Sequence, residues 1–267
     1  MGERPIWLIG CGNMAGAMLD GWLASGMATQ DFRVVRPSGK AAARDVPVQR
    51  ELPGTLFGDA IVQIGFKPYH LAEEAPKLAP LIGPDTHIVS ILAGVELATL
   101  RKAFPDAGSI VRAMPNTPVA LNAGVVGLLA EDRNAVGADA VEALMGRLGL
   151  AEWLDYEALF NVVTALAGSG PAFLFRYIDA MARAGAALGL DPAQSERMAI
   201  ATVEGAARLA ARSDEDPGTL ADRVASPGGS TRKGLDVLDA DGALDALARA
   251  TLEAATRRNE EMAEEAR

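Results

Sequence analysis

The chain divides into two parts by the spacing of its apolar residues. Up to about residue 160, short runs of β-branched and aliphatic residues alternate with stretches whose apolar positions recur at helical spacing. Such alternation is typical of a parallel sheet that helices cover on both faces. The pattern predicts strands at residues 6–9, 32–35, 60–64, 87–91 and 109–113, further candidate strands at 125–129 and 152–154, and intervening helices such as 14–25 and 71–78.

From about residue 161 the strand pattern ends, and the apolar positions fit long helices. One helix begins near Pro171, a second spans about residues 191–211, and a third spans about 242–266. Their apolar stripes present more surface than roughly a hundred residues can bury among themselves. A core shared with the first part would explain this excess, and a helical domain that interlocks with a second copy of the chain explains it better.

We therefore expect an α/β fold with two domains. The first is an N-terminal Rossmann-type, doubly wound sheet domain over residues 1–160. The second is an all-helical C-terminal dimerisation domain over residues 161–267, so that the chain forms a homodimer or a higher homo-oligomer.

Composition narrows the possible partners. The 267 residues are 49% hydrophobic and 22% charged, which suits a globular chain with a sizeable core. The net charge of −10 disfavours nucleic acid, because a polyanion needs a basic face. One cysteine and two histidines offer neither a disulfide framework nor a transition-metal site. With no signal peptide or membrane-spanning run in the pattern, we expect a cytoplasmic protein that has no metal and no membrane partner.

A glycine-rich turn near the start carries the strongest chemical signal. The first predicted strand runs into Gly10-Cys11-Gly12-Asn13-Met14-Ala15, a G-x-G-x-x-A pattern that opens a helix. The first glycine permits the tight turn, the second lets the backbone approach a pyrophosphate, and the alanine allows close helix–strand packing. Amide groups at the helix start then bind the phosphates. The pattern predicts a dinucleotide site that includes Ile9, Gly10, Cys11, Gly12, Asn13 and Met14, with the cysteine as an inert small residue.

The end of the second predicted strand indicates which dinucleotide binds. An NAD-selective site has an acidic residue there, which accepts a hydrogen bond from the ribose 2′-hydroxyl. This chain instead has Arg36, Ser38 and Lys40, with no acid among them. Two cations and a hydroxyl suit a 2′-phosphate, although Arg36 and Lys40 could also be solvated loop charges. We expect NADP as the cofactor, with NADPH favoured over NADH.

Six motifs resemble those of the pyrroline-5-carboxylate reductase family and come in the same order. The resemblance spans about residues 6–262, and its last motif is the most specific. It implies that NAD(P)H reduces the C=N bond of 1-pyrroline-5-carboxylate to give L-proline, the last step of proline biosynthesis. The motifs are the glycine turn with Asn13-Met14, Phe66-Lys67-Pro68, Ser90-Ile91-Leu92-Ala93-Gly94, Met114-Pro115-Asn116-Thr117-Pro118, Gly168-Ser169-Gly170-Pro171-Ala172-Phe173 and Ser226-Pro227-Gly228-Gly229-Ser230-Thr231.

The resemblance also implies roles for single residues. Thr231 is the implied catalytic residue, with its hydroxyl hydrogen-bonded to the ring nitrogen of the imine. Asn116 would form a turn and could also contact the nicotinamide. The implied cofactor contacts, several of them through the backbone, are Gly65, Phe66, Lys67, Pro68, Ala93, Gly94 and Asn116. The implied substrate contacts are Ser226, Gly228, Gly229, Ser230 and Thr231.

The residues of the last motif have a physical interpretation of their own. Pro227 and the two glycines that follow allow several backbone N–H groups to converge in one concavity, which suits a carboxylate. An ordinary glycine-rich loop between helices would have the same composition. A helical pattern resumes at about Arg232.

Other functions fit part of the pattern. Phe173 stands where the family usually has Tyr, which leaves room for an NADP-dependent reductase of another cyclic imine. A β-hydroxyacid dehydrogenase-like enzyme uses a lysine on the helical side, whereas Lys233, the only lysine after residue 150, stands beside the glycine turn. A non-catalytic NADP-binding regulator would have no use for the 226–231 segment. We expect His70 at the surface and His87 at a strand edge, neither of them catalytic.

Overall fold

The computed structural model describes residues 4–55 and 57–265, and within them eight strands form one sheet. The spatial order is β3-β2-β1-β4-β5-β6-β7-β8, and strands β1 to β6 pair in parallel. The strand order therefore reverses between β1 and β4, the point at which open α/β sheets bind ligands. The strands are β1 (Ile6–Ile9), β2 (Phe32–Val35), β3 (Val48–Gln49), β4 (Ala60–Ile64), β5 (Thr86–Ser90), β6 (Ser109–Pro115), β7 (Gly124–Ala130) and β8 (Gly149–Trp153).

Ten α-helices lie within the described residues, and no strand follows β8 there. The chain forms two compact units, one of residues up to Ser169 together with those from Ala255 onward, and one of Gly170–Ala254. The helix predicted over 242–266 is present, but Ala266 lies outside the described residues. The helices are α1 (Asn13–Ala24), α2 (Leu71–Leu78), α3 (Leu97–Ala103), α4 (Ala138–Gly146), α5 (Leu159–Val163), α6 (Gly170–Ala187), α7 (Pro192–Ala210), α8 (Pro217–Arg223), α9 (Ser230–Leu238) and α10 (Ala243–Glu265).

Helices cover both faces of the sheet in the first unit, as the strand–helix alternation predicts. On one face α1 and α4 pack against the sheet, and the buried Trp22 donates its indole N–H to the carbonyl of Leu144 at 2.8 Å. On the other face Leu78 and Leu100, from α2 and α3, pack against Ile88. Burial of these apolar side chains on both faces holds the strand ends, where the candidate site lies, in fixed positions.

The sheet departs from the parallel prediction at β7, which runs antiparallel to β6. The connection from Pro115 to Gly124 contains only a short 3-10 helix, Thr117–Leu121, whereas a parallel crossover needs about a dozen residues or more. The two further candidate strands exist, as β7 and β8. Strand β3 was not predicted, because its two residues are too few to make a periodic pattern.

The helices of the second unit bury little among themselves. Helix α6 approaches α7 through small residues: the Ser195 hydroxyl donates to the carbonyl of Ala182 at 2.8 Å, and a Cβ on Gly185 would lie 2.3 Å from the Ser195 oxygen. Large apolar side chains stay exposed, with Phe175 at 64% and Leu247 at 67%. The buried side chains described in this unit are those of Ala182, Ser195, Ala199 and Ala225. These helices therefore need a further apolar surface, as their sequence pattern predicts.

One helical run in the described part of the chain, Leu159–Ala187, is long and apolar enough to cross a membrane by length and composition alone. It joins α5 to α6 through a π-helical turn at Thr164–Gly168. A single run of this kind is weak evidence for a span. Exposed apolar helix surface equally marks a contact between subunits.

His87 lies inside the sheet rather than at a strand edge. Its side chain is buried near the start of β5, and its Nδ1 is 3.0 Å from the Ser109 hydroxyl. Gly137 packs against the ring, since a Cβ there would lie 2.3 Å from Nδ1. Burial lowers the pKa of His87, the nearby positive charge of Arg4 lowers it further, and Asp59 and Asp85 oppose the change.

We predict that His87 makes the protein less stable in weak acid. The folded protein favours the neutral ring, whereas the unfolded chain protonates it near pH 6.5. The stability is therefore complete above about pH 6.5 and decreases as the pH falls, by at most about 1.4 kcal/mol per pH unit. The free energy of unfolding, measured with denaturant at several pH values between about 7.5 and 5.5, should fall less steeply with decreasing pH for His87→Gln than for the wild type. His70→Gln is the control, and equal slopes for wild type and His87→Gln would contradict the prediction.

Candidate active site

The glycine turn follows β1 at the switch point of the sheet. Gly10 has a φ of +83°, and a Cβ there would lie 2.8 Å from the backbone nitrogen of Phe66. A Cβ on Gly65 would in turn lie 2.7 Å from the carbonyl oxygen of Gly10 and 3.2 Å from the Cβ of Ala15. The turns after β1 and β4 therefore touch through their backbones, which requires very small residues on both.

The start of α1 has the features of an anion site. Helix α1 begins at Asn13. The preceding N-cap residue, Gly12, has no side chain to cap the helix, and the first turn contains no acidic residue. A Cβ on Gly12 would meet no atom within 4 Å, so its exposed backbone can be approached closely. Unpaired N–H groups and the positive end of the helix dipole suit a pyrophosphate. The structure therefore fits a dinucleotide at the residues that the sequence predicts.

Cys11 points into the core at this turn. Its side chain is buried, and burial raises the pKa of the thiol, although the positive charge of Arg36 acts in the opposite direction. A neutral, buried thiol is a poor nucleophile. This geometry agrees with the interpretation of Cys11 as an inert small residue.

The loop after β2 carries unpaired positive charge. The Arg36 guanidinium has only long contacts with the carbonyl oxygens of Lys40, at 3.3 Å, and Ala41, at 3.5 Å. The Ser38 hydroxyl accepts from the backbone N–H of Lys40 at 3.3 Å. Within residues 4–55 and 57–265, neither Arg36 nor Lys40 forms an ion pair. In a chain of net charge −10, two unpaired cations on one loop favour an anionic ligand.

Sequence reasoning missed a third cation at this loop. Arg50 follows β3, and its side chain lies across Gly39, where a Cβ would be 2.6 Å from the Arg50 Nε. It too makes no ion pair with any residue that the structure describes. Because two-residue β3 is not visible in the hydrophobic pattern, no sequence signal places Arg50 beside Arg36.

A cleft of about 510 Å³ connects the glycine turn to this loop. Its walls include residues at the carboxyl ends of β1 and β2, together with Phe66 of the turn after β4. Its walls are partly apolar, and its charged lining combines Arg50 and Lys77 with Glu51, Glu73 and Glu74, the last two of which pair with Lys77. The apolar part suits the adenine ring of a dinucleotide. The lining residues that carry this argument are Gly10, Val35, Pro37, Arg50, Leu52 and Phe66.

A second cleft in the same unit, of about 1150 Å³, lies beside the carboxyl ends of β4, β5 and β6. Pro68, Ala93, Gly94 and Met114 line it, and Gly94 has a φ of +75°. The Lys67 side chain is exposed. The structure thus divides the implied cofactor contacts between two clefts, with Phe66 in the first and Pro68, Ala93 and Gly94 in the second.

Asn116 has a structural task at the end of β6. Its amide nitrogen donates to the carbonyl of Ala167 at 3.0 Å, and its side-chain oxygen accepts from the N–H of Val125 at 2.9 Å. The residue is buried, and these bonds fix the turn between β6 and β7. They support the turn-forming role for Asn116; a nicotinamide contact stays a prediction.

The 226–231 segment is an exposed turn in the second unit. Gly228 has a φ of +72°, and the N–H of Gly229 donates to the carbonyl of Ser226 at 2.9 Å. Helix α9 begins at Ser230, two residues before the helix start that the sequence indicated, and Gly229 provides no side-chain cap. The first N–H groups of α9 and the Thr231 hydroxyl therefore belong to the same turn of helix, which suits a carboxylate with an adjacent hydrogen-bond acceptor.

These features define a class of protein: a dinucleotide-binding domain with a Rossmann-type sheet, followed in the chain by a helical region that contains a glycine turn. Comparison with known proteins identifies the family. Residues 157–262 match the family described as pyrroline-5-carboxylate reductase dimerisation. The pyrroline-5-carboxylate reductase of Pseudomonas aeruginosa is 35% identical over 273 residues, which cover 99% of each chain. The chain belongs to the pyrroline-5-carboxylate reductase family.

Solved structures agree with this assignment. A pyrroline-5-carboxylate reductase from Coxiella burnetii has a TM-score of 0.87 and 30% identity, covering 97% of this chain and 98% of that one. The Plasmodium falciparum pyrroline carboxylate reductase with NADP bound has a TM-score of 0.81 at 21% identity, covering 98% and 99%. The second likeness shows the shared fold, an α/β domain followed by helices, which is the fold that the sequence predicts.

We predict that Gly10→Ala abolishes dinucleotide binding. The new Cβ would clash with the Phe66 backbone, and alanine would be strained at this positive φ. Because the clash is with backbone atoms, a side-chain rotation cannot relieve it and the turn itself must move. Titration with NADPH, followed by fluorescence, should show at least about 100-fold weaker binding. Gly16→Ala in α1 is the matched control, because its Cβ meets no atom within 4 Å and should leave the affinity unchanged. Near-native binding by Gly10→Ala would show that the two turns need not touch.

Proposed function

We propose that this protein reduces 1-pyrroline-5-carboxylate to L-proline with NADPH. Its relationship to a pyrroline-5-carboxylate reductase over 99% of both chains carries the proposal. In the overall reaction, a hydride is added to the imine carbon and a proton to the nitrogen, so that the C=N bond becomes CH–NH and NADP⁺ is formed. NADPH, when bound, supplies the hydride.

In this proposal the first unit holds the cofactor. The backbone from Ile9 to Met14 binds the pyrophosphate, and the cations of the 36–40 loop bind the 2′-phosphate with Ser38 as a hydrogen-bond donor. Arg50 joins them from the end of β3. The turn of Gly65, Phe66, Lys67 and Pro68 contacts the cofactor mainly through its backbone. Phe66 lies on the adenosine side, and Pro68 lies with Ala93 and Gly94 on the nicotinamide side.

The 226–231 segment binds the substrate in the same proposal. The N–H groups between Gly228 and Thr231 hold the carboxylate with the Ser226 hydroxyl, except that of Gly229, which closes the turn on the Ser226 carbonyl and leaves its backbone beside the ligand. The Thr231 hydroxyl donates to the nitrogen of the neutral imine and so orients the C=N bond; a water molecule supplies the proton that the nitrogen gains as the hydride is added to the carbon. This arrangement explains the conjunction of an uncapped helix start and three hydroxyl side chains in one short turn.

The protein assembles through its C-terminal helices. The match to the dimerisation family covers residues 157–262, and the second unit exposes the apolar side chains that such an interface buries. We place the protein in the cytoplasm, where the reducing environment suits its single, buried Cys11.

The activity and the role of Thr231 are tested together. Wild-type protein should consume NADPH only when pyrroline-5-carboxylate is present, measured as loss of nicotinamide absorbance. Thr231→Ala should lower kcat by about 10²–10⁴-fold and leave NADPH affinity unchanged, because a positioned donor acts on the reaction and not on the cofactor. Thr231→Ser should keep much of the activity, since it retains the hydroxyl.

The matched control is Thr251→Ala, which removes a hydroxyl that donates to the Leu247 carbonyl of its own helix at 2.8 Å. It should leave kcat unchanged. A wild type without turnover would overturn the proposed activity. Near-native turnover by Thr231→Ala would overturn only the role of that hydroxyl.

Cofactor preference should depend on Arg36 and Arg50. Each charge-assisted contact with a 2′-phosphate contributes about 1.5–3 kcal/mol, whereas NADH lacks that group. Arg36→Ala and Arg50→Ala should therefore each lower kcat/KM for NADPH by about tenfold or more and barely change that for NADH.

The control for cofactor preference is Arg33→Ala. Arg33 lies in β2, the strand that precedes the 36–40 loop, but its guanidinium donates to the carbonyl oxygens of Gln30 and Phe32. A wild type that prefers NADH, or equal losses with both cofactors, would show that these cations do not bind the phosphate.

A further inference from the structure

One carboxylate oxygen joins two segments of the first unit that are far apart in sequence. The Oε1 of Glu157 accepts from the backbone N–H of Leu97 at 2.8 Å and from Nη1 of Arg112 at 2.6 Å. Leu97 is the first residue of α3, and Arg112 lies in the middle of β6. Phe160, one turn after Glu157, covers the Arg112 guanidinium, whose central carbon is 4.0 Å from the ring centroid.

This ion pair differs from the others that the structure describes. The Arg112 side chain is 7% exposed and that of Glu157 35%, whereas most of the other pairs join exposed side chains. Burial lowers the pKa of Arg112, and Glu157, helped by Glu96, acts in the opposite direction. Because charges lose hydration when buried, such a pair adds little net stability but is costly to break on one side. The pair therefore matters more for the positions of the segments that it joins than for the stability of the fold.

Glu157 also completes helix α3 from a distance. The residue before the helix, Glu96, does not cap it with its own side chain. The N–H of Leu97 instead finds its acceptor in Glu157, 60 positions later in the chain. The start of α3 is thus held to β6 through one carboxylate.

The two anchored segments both border the larger cleft. Residues 92–96, which lead into α3, line it with Ala93 and Gly94, and β6 lines it with Arg112 and Met114. Movement of Leu97 would displace the 92–96 segment directly, because Leu97 follows Glu96, the last residue of that segment, in the chain. Phe160 lines the same cleft and holds the guanidinium in place from the other side.

We propose that Glu157 and Arg112 are positioning residues that hold the 92–96 segment in the geometry required for the nicotinamide half of the cofactor. The proposal rests on the proposed function for the location of that half. It assigns no chemical step to either residue. Because the dimerisation match begins at residue 157, the first residue of that region is also the one that fixes the cofactor segment.

The test compares a whole cofactor with a fragment. NADPH has a nicotinamide half, whereas 2′,5′-ADP has only the adenosine half and its 2′-phosphate. Calorimetric titration of Glu157→Ala should show NADPH binding weakened by about tenfold or more, with 2′,5′-ADP binding changed by less than about twofold. Glu157→Gln retains an acceptor oxygen without the charge and should show a smaller loss of the same kind.

The matched control is Glu131→Ala. Glu131 pairs with Arg101 near the other end of α3, at 2.8 Å, and does not line the cleft. It should leave both affinities unchanged. Two results in Glu157→Gln or Glu157→Ala would overturn the positioning role. One is equally weakened binding of NADPH and 2′,5′-ADP, and the other is unchanged binding of both. If Glu157→Ala does not fold, Glu157→Gln decides the question alone.

This result is separable from the proposed activity. The titrations need no substrate, so a wild type that binds NADPH but does not reduce pyrroline-5-carboxylate would contradict the function and still test the positioning. In active protein, Glu157→Gln should raise KM for NADPH, while light scattering shows the same assembly as the wild type. A change in assembly that accounts for the loss of affinity would also overturn the proposal.

Discussion

The helices of residues 170–254 cannot bury their apolar faces within one chain, and the organisation of the protein depends on this constraint. Their close contact, between α6 and α7, is made by Ala182, Gly185 and Ser195, side chains too small to form a core. Larger residues such as Phe175 and Leu247 remain exposed. Hydrophobic burial is the main favourable contribution to folding, so this unit needs a second surface to be stable. The 226–231 segment belongs to the same unit, so in the proposed function substrate binding depends on assembly.

The first unit meets a different constraint, the close approach of two backbones. The turns after β1 and β4 touch at Gly10, Gly65 and Phe66, and Gly10 and Phe66 line the smaller cleft beside that contact. Parallel strands bring their carboxyl ends to one edge, and the packed cores on both faces keep them there. The cofactor site therefore depends on the sheet topology and on the small residues Gly10, Ala15 and Gly65 at the contact of the two turns.

Much of this could be predicted from the sequence because the signals are local. The strands of the first unit other than β3, the start of α1 and the position of the cations Arg36 and Lys40 after β2 follow from short patterns. The direction of β7 could not be predicted from hydrophobicity, which is the same for parallel and antiparallel strands; it depends on a short connection. Arg50 and Glu157 were missed because their partners, Gly39 and Leu97, are distant in sequence. No local pattern records such contacts.

The arginines of this protein differ in whether a carboxylate already neutralises them, and this difference indicates which of them can bind a ligand. Most ion pairs described here join exposed residues three or four apart on one helix, as Lys77 does with Glu73, and such pairs contribute little. Arg36 and Arg50 have no carboxylate partner among the described residues, so their charge is available to a ligand. Arg112 is the reverse case, since its charge is buried and already neutralised by Glu157. A buried, neutralised cation is poorly suited to bind a further anion, but through Glu157 it is joined to the start of α3, next to the 92–96 segment.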